Sequence, residues 1–184
     1  MRCFLGVQLN ENLLPNVKSI KDEIAETGGD IKLVEDENLH YTIKFLGDIR
    51  EKDLEKIDKI EQEITDIDPF EIEIKDMGAF PTRDYIKVIW LGVGKGYDRF
   101  KKLMTRINDK LESLGFREEK NDLVPHMTIG RVKSGKNKEE IKHKIGNLED
   151  KTIGRMRVER ITLFQSNLTP GGPIYEKVKE YKLK

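Results

Sequence analysis

Residues 38–47 read NLHYTIKFLG and residues 123–132 read LVPHMTIGRV. Both are apolar runs of strand length, and both contain the pattern His-x-Thr-Ile: His40-Tyr41-Thr42-Ile43 and His126-Met127-Thr128-Ile129. The chain has three histidines, so two of them in one recurring tetrapeptide point to an internal repeat. Side chains at i and i+2 of a strand share a face. His40 therefore points with Thr42, and His126 with Thr128, while Ile43 and Ile129 turn into an apolar layer.

The segments flanking each motif repeat as well. Before the first motif, residues 3–9 (CFLGVQL) read as a buried strand. Residues 12–27 set Leu13, Val17, Ile20 and Ile24 at helical spacing ahead of Gly28-Gly29, and residues 31–34 read as a short strand. After it, residues 51–64 carry the helical stripe Leu54, Ile57, Ile60 and Ile64, and Phe70, Ile72 and Ile74 alternate as a half-buried strand. The succession starts again with a strand over 85–92 and a helix over 97–114 ended by Gly115. A short segment near Phe116 and the strand of the second motif follow, then a helix over 137–146 and a strand over 158–165. The turn Pro170-Gly171-Gly172-Pro173 precedes a last strand over 174–183. Strand–helix–strand–strand–helix–strand thus occurs twice, about 85 residues apart. The expected architecture is α+β and bilobal: two pseudo-symmetric βαββαβ halves whose sheets face a central cleft. Residues 1–184 form one domain, with the first repeat over about 1–76, the second over about 85–166 and the C-terminal strand over about 174–183. Grooves between such halves are common ligand sites.

Composition narrows the function classes. Charged residues are 37% and hydrophobic residues 36%, against about 25% charged in an ordinary domain. The 34 basic and 34 acidic side chains cancel, which excludes attachment to nucleic acid by bulk charge but permits a local basic groove. No apolar run approaches the ~18 residues of a membrane span. The opening MRCFLGVQLNENLL lacks the long apolar core of a signal peptide, so a cytoplasmic location is expected. Cys3 is the single cysteine, which excludes an intrachain disulfide and a multi-cysteine zinc site.

Pseudo-two-fold symmetry would bring the two His–Thr pairs face to face. Two imidazoles across one small ligand suit general acid–base chemistry, one taking a proton while the other gives one. With an unperturbed pKa near 6.5, both states are reachable at neutral pH. The hydroxyls can donate to anionic oxygens without a metal. A single His-x-Thr would read as a core histidine capped by threonine; the symmetric pair favours a site. A metal site lacks a third His, Cys or carboxylate at ligand spacing. His143 lies in a polar helix and reads as a surface residue. Gly92-Val93-Gly94-Lys95-Gly96 lacks the spacing of a phosphate loop and reads as a strand-to-helix turn. Gly78-Ala79-Phe80-Pro81 reads as a loop at the lobe junction.

With FLG after the first motif and GR after the second, the sequence resembles the RNA 2′,3′-cyclic phosphodiesterases. These are also called 2′-5′ RNA ligases, within the two-histidine phosphoesterase superfamily. The resemblance extends over MRCFLGVQL, HYTIKFLG, residues 77–93 (MGAFPTRDYIKVIWLGV), PHMTIGRV and residues 163–175 (LFQSNLTPGGPIY). It implies hydrolysis of a ribose 2′,3′-cyclic phosphate to a 2′-phosphate, and joining of RNA ends through a 2′-5′ bond. It implies that His40 is the proton donor to the leaving 3′ oxygen and His126 the proton acceptor that activates water. Thr42 and Thr128 would hold the phosphate oxygens, and Arg131 matches the family's basic residue after the second motif. Strict alternation puts Arg131 opposite His126, so a role at phosphate needs the strand to twist or end there. Phe45 matches an aromatic that could stack on a base, yet alternation places it with Ile43 in the core. Lys44 falls on the His40 face, as a phosphate contact or a solvated lysine at the rim. The expected protein is a monomeric, metal-independent and cofactor-free phosphodiesterase acting on RNA ends or nucleotides with a 2′,3′-cyclic phosphate. The alternative is a non-catalytic RNA-binding module, which would show exposed aromatics beside a basic stripe.

Overall fold

The apolar alternation of the strands resolves into a nine-stranded antiparallel sheet in the computed structural model, which describes residues 1–184. Its elements are β1 (Arg2–Gln8), α1 (Leu14–Ala25), β2 (Ile31–Leu33), β3 (His40–Asp48), α2 (Leu54–Ile57), α3 (Glu61–Ile64), β4 (Phe70–Pro81), β5 (Ile86–Val93), α4 (Tyr97–Ser113), β6 (Met127–Val132), α5 (Lys138–Leu148), β7 (Thr152–Val158), β8 (Arg160–Thr169) and β9 (Gly172–Lys182). The strand order is β7-β4-β5-β6-β3-β1-β8-β9, with β2 on the remaining stretch of β6. The strand of each motif sits at the middle, where β3 and β6 meet through the single opposed pair Tyr41 and Met127.

On either side of that seam the two motifs have matching surroundings. β3 lies beside β1, β8 and β9; β6 lies beside β5, β4 and β7. The sequence repeats exchange strands to achieve this. β4, which follows the first motif, pairs with β5 of the second repeat, and β8, which follows the second motif, pairs with β1 of the first. The two groups of strands are therefore interlocked through the chain itself.

One face of the sheet is covered by helices. Tyr41, Ile43, Met127 and Ile129 are buried there, and Phe100 of α4 meets the Tyr41 ring edge-on at 5.4 Å. The Tyr41 hydroxyl donates to the Gly92 carbonyl at 2.9 Å, satisfying a polar atom that burial would otherwise penalise. The helix stripes read from the sequence enter this layer: Ile57, Ile60 and Ile64, and Phe100, Leu103, Met104, Ile107 and Leu111. Each fully buried branched side chain of this kind contributes roughly 1.5–3 kcal/mol. The opposite face carries the histidines.

Several segments differ from the sequence reading. The helix over 51–64 is broken into α2 and α3 by 3₁₀ turns at Glu51–Asp53 and Asp58–Ile60. No strand forms near Phe116; residues 116–126 hold six consecutive charged or polar residues after Phe116, then Pro125, which cannot donate to a ladder. β6 therefore starts at Met127, one residue past His126. Gly78-Ala79-Phe80-Pro81 is strand, not loop, because β4 continues to Pro81. A Cβ on Gly78 would collide with the Trp90 ring, so glycine there lets Trp90 lie across the strand. The last strand of the second repeat is β7, interrupted in its pattern by Gly154 and two arginines; residues 158–165 mostly belong to the next strand, β8. No helix is long and apolar enough to cross a membrane.

Candidate active site

The register around each motif departs from simple alternation at the same residue. On β3, Leu5 lies opposite Lys44 but Gly6 lies opposite Thr42, so Ile43 is an extra residue. On β6, Ile89 lies opposite Gly130 and Trp90 opposite Thr128, so Ile129 is extra. A bulge of this kind resets which face the following residues occupy. Phe4, Gly6 and Gln8 share one face of β1, and they oppose Phe45, Thr42 and His40. Val88 and Trp90 share one face of β5, and they oppose Arg131 and Thr128. Directly opposed residues point the same way. The open face of the sheet thus gathers His40, Thr42 and Phe45 from β3, and Thr128 and Arg131 from β6.

Three expectations change as a result. Phe45 is not in the core; it is 66% exposed, with its ring 6.0 Å from that of Phe4. Arg131 is exposed on the face of Thr128 rather than turned away from it. Lys44 leaves the site: it lies on the helix side, buried, with its ammonium donating to Asn108 Oδ1 at 2.9 Å and paired with Glu112 at 3.4 Å. Its side chain serves the packing of α4 and offers nothing to the cleft.

Both histidines are held by the same device. His40 Nδ1 lies 2.6 Å from the Asn38 carbonyl and His126 Nδ1 lies 2.7 Å from the Val124 carbonyl, each two residues upstream. A carbonyl only accepts, so each Nδ1 carries the proton and each neutral Nε2 presents a lone pair. Beyond this the two differ. His40 Nε2 is 2.9 Å from Thr42 Oγ1, whose hydroxyl donates to the neutral ring. His126 Nε2 has no protein partner of this kind. Gly6 gives the His40 ring room; a Cβ there would sit 3.2 Å from His40 Cδ2 and 3.0 Å from the Tyr41 carbonyl.

Aromatic rings wall both imidazoles, and most of these the sequence reading assigned no role. Around His40 stand Phe4 at 4.7 Å, Tyr175 edge-on at 5.4 Å and Phe164 at 6.2 Å between centroids. Around His126 stand Phe80, edge-on at 5.0 Å, and Trp90 at 6.1 Å. The alternation of β9 and the aromatic in GAFP were the available signals, but alternation alone cannot tell an aromatic in a cleft from one in a core. Asn38 was also missed. Its carbonyl orients His40, and its side-chain amide donates to the Pro173 carbonyl at 2.9 Å, tying the motif to the strand that carries Tyr175.

These walls shift the acid–base behaviour away from ordinary histidine. Burial lowers the His40 pKa from the usual 6.5 to about 4; the bond to Asn38 opposes this and a charge on His126 adds to it. The two imidazoles are therefore close enough to feel one another. Burial also lowers His126, with its backbone bond opposing and the Arg131 charge adding. Arg131 bears on Tyr175 as well, where burial raises the phenol and the Arg131 charge lowers it. Arg131 thus lies within electrostatic reach of groups from both lobes. No group of three or more His, Cys, Asp or Glu side chains is placed to share a metal ion.

Strands exchanged between two half-sheets, with one His-x-Thr pair from each on a common open face, define a two-histidine cleft protein. A family model described as the 2′-5′ RNA ligase superfamily matches residues 12–169, and the chain belongs to that superfamily. A Methanothermobacter thermautotrophicus protein named RNA 2′,3′-cyclic phosphodiesterase is 40% identical over 184 residues, covering 100% of this chain and 99% of the relative. A protein of the same name from Methanocaldococcus jannaschii is 40% identical over 181 residues, covering 98% and 100%. Among solved structures, TT0787 of Thermus thermophilus superposes with a TM-score of 0.82 at 22% identity, covering 100% of this chain and 98% of that one. E. coli LigT complexed with 3′-AMP gives 0.78 at 19% identity, covering 99% and 97%. At these identities the two structures speak to the fold.

Proposed function

We propose that this protein is a phosphodiesterase that opens ribose 2′,3′-cyclic phosphates at RNA ends and leaves a 2′-phosphate. The observation that carries the reading is the matched pair of imidazoles, each locked as its Nδ1–H tautomer on the open face, beside its own threonine hydroxyl. Full-length relatives at 40% identity, named for this activity, support it.

In the proposed reaction, the Nε2 lone pair of neutral His126 takes a proton from water as its oxygen attacks phosphorus. The bond from phosphorus to O3′ breaks, and charged His40 passes its Nε2 proton to O3′. Water's oxygen ends in the 2′-phosphate and the 3′ position ends as a hydroxyl, so atoms and protons balance. The Thr42 and Thr128 hydroxyls donate to the non-bridging oxygens, where one such donor is worth up to several kcal/mol in the transition state. Arg131 adds a fixed positive charge. A 5′-hydroxyl attacking in place of water would form the 2′-5′ bond of ligation by the same proton transfers. The order of roles follows the family resemblance, and the unpartnered Nε2 of His126 suits the acceptor. His40 must be charged to act as donor. Burial holds its pKa at about 4, and a phosphate anion bound beside it would raise that value.

The chain of proton transfers needs no metal. The test is turnover of adenosine 2′,3′-cyclic phosphate with excess EDTA: an unchanged rate is expected, and a chelator-sensitive rate restored by zinc or manganese would refute it. The exposed ring of Phe45, with half-buried Tyr175 near it, favours a second reading, a non-catalytic RNA-binding module, because an exposed ring can stack a base. Binding of the cyclic nucleotide without turnover would establish that reading instead. A cytoplasmic location fits the free buried thiol of Cys3.

A further inference from the structure

Lys32 has no place in the mechanism above, yet the sheet register sets it beside the site. On the short strand β2, Lys32 lies directly opposite Arg131 of β6. The two side chains therefore share the face of Thr128. The neighbours of Lys32 confirm this orientation: Ile31 and Leu33 pack against Gly130 on the other side, where a Cβ on Gly130 would meet them at 3.0 and 3.4 Å. The surface is laced with ion pairs, but neither Lys32 nor Arg131 takes part in one. Two exposed cations on adjacent strands repel each other, so an anion lodged between them would be favoured by both.

The position of the pair says which anion. Arg131 lies three residues beyond Thr128, roughly 10 Å along the strand before the bulge shortens the path. The Lys32 ammonium reaches to the Gly171 carbonyl, 3.3 Å away at the β8–β9 turn. That turn joins the strands bearing Phe164 and Tyr175 at His40, so Lys32 spans the mouth between the two lobes. One of its three donors is used there and two remain free. Past the same end of β6 lies a cavity of about 580 Å³ whose lining includes Lys87, Lys133 and Lys138, none of them in an ion pair. A mononucleotide held at the threonines has one phosphate, toward which the long Arg131 side chain can extend, and none to offer Lys32 on the next strand. A chain continuing from it has one.

We infer that Lys32, beside Arg131, binds the phosphodiester one nucleotide upstream of the reacting cyclic phosphate, so that the site selects RNA ends over free cyclic nucleotides. The inference rests on the phosphodiesterase reading. The test compares kcat/KM for adenosine 2′,3′-cyclic phosphate with that for the dinucleotide ApA ending in the same cyclic phosphate, in wild type, Lys32→Ala and Lys32→Arg. Wild type is expected to prefer the dinucleotide. Lys32→Ala is expected to lose about tenfold on the dinucleotide, the scale of one charge-assisted contact, and to stay within about twofold on the mononucleotide. Lys32→Arg should restore the preference, and the salt dependence of log kcat/KM on the dinucleotide should fall by about 0.7 in Lys32→Ala. An equal loss on both substrates would assign Lys32 to the reacting phosphate or to the fold and overturn the inference; so would no loss on either. A wild type that turns over both substrates equally would overturn it while leaving the phosphodiesterase reading in place. Turnover of neither would refute that reading itself, and the inference with it.

Discussion

Mild acid should destabilise this protein through His40 before most of its carboxylates are protonated. The folded chain resists charging this ring because Phe4, Phe164 and Tyr175 replace its water, which holds the pKa at about 4 against the usual 6.5. The unfolded chain takes up the proton near 6.5. Between those values the unfolded state binds more protons, so the contribution of neutral His40 is fully present above pH 6.5 and is lost as pH falls toward 4. At about 1.36 kcal/mol for each pH unit between the two values, the limit is roughly 3 kcal/mol, most of it lost by pH 4.5. The perturbation is His40→Gln, which keeps a polar side chain and removes the titration. The assay is urea unfolding of wild type and variant at pH 7.5 and pH 4.5. Wild type should lose roughly 2–3 kcal/mol more than the variant over that interval, because His126 and the carboxylates titrate in both. Inorganic phosphate should shrink the wild-type loss, since an anion in the cleft favours the charged ring. Equal acid losses in the two proteins would show that His40 is not held neutral by its surroundings, and the account of its environment would be wrong.

Four further outcomes are expected. His40→Ala and His126→Ala should each cut turnover of the cyclic phosphate by at least about 10²-fold, and the double variant should fall little below the worse single one, as measured by steady-state kinetics. With a nitrophenolate leaving group that needs no proton, His40→Ala should be spared far more than His126→Ala; the reverse ranking would exchange the donor and acceptor roles. Thr128→Val should lose activity at nearly unchanged melting temperature, since valine keeps the shape and removes the donor; Thr42→Val should lose activity and about 1–3 kcal/mol of stability, since it also strands the His40 Nε2. Lys44→Ala should do the opposite, costing about 2–4 kcal/mol in unfolding by stranding the buried Asn108 carbonyl oxygen while kcat/KM holds.

The motifs and the order of elements were legible because they rest on periodicity and on repetition, which a single chain displays. Leu13, Val17, Ile20 and Ile24 bury as their spacing demands, and so do Ile57, Ile60 and Ile64. What escaped depended on partners remote in sequence. β7 hides because Gly154, Arg155 and Arg157 dilute its alternation, and only pairing with β4 makes it a strand. Gly78 to Pro81 looks like a loop until Trp90 is laid over Gly78. The exchange of β4 and β8 between the two half-sheets has no local signature at all.

The site was half legible for a related reason. Alternation places His40 with Thr42 and His126 with Thr128 whatever follows, but it fails one residue later. Ile43 and Ile129 look like ordinary core residues, and both are the extra residue of a bulge. The consequence is that the fifth residue after each histidine, not the fourth, faces the cleft: Phe45 on one side, Arg131 on the other, with Lys44 sent into the core. The scaffold is nearly symmetric, but a nucleotide is not. Its base offers a flat π-face, and its phosphates are anionic. The two equivalent positions answer that difference with an exposed ring on the His40 side and a free guanidinium on the His126 side. The same asymmetry reaches the imidazoles. Thr42 occupies the His40 Nε2, while that of His126 is left without a protein partner. On the proposed mechanism the duplicated motif supplies two interchangeable proton carriers. The residues that differ between the copies then decide which one gives and which one takes.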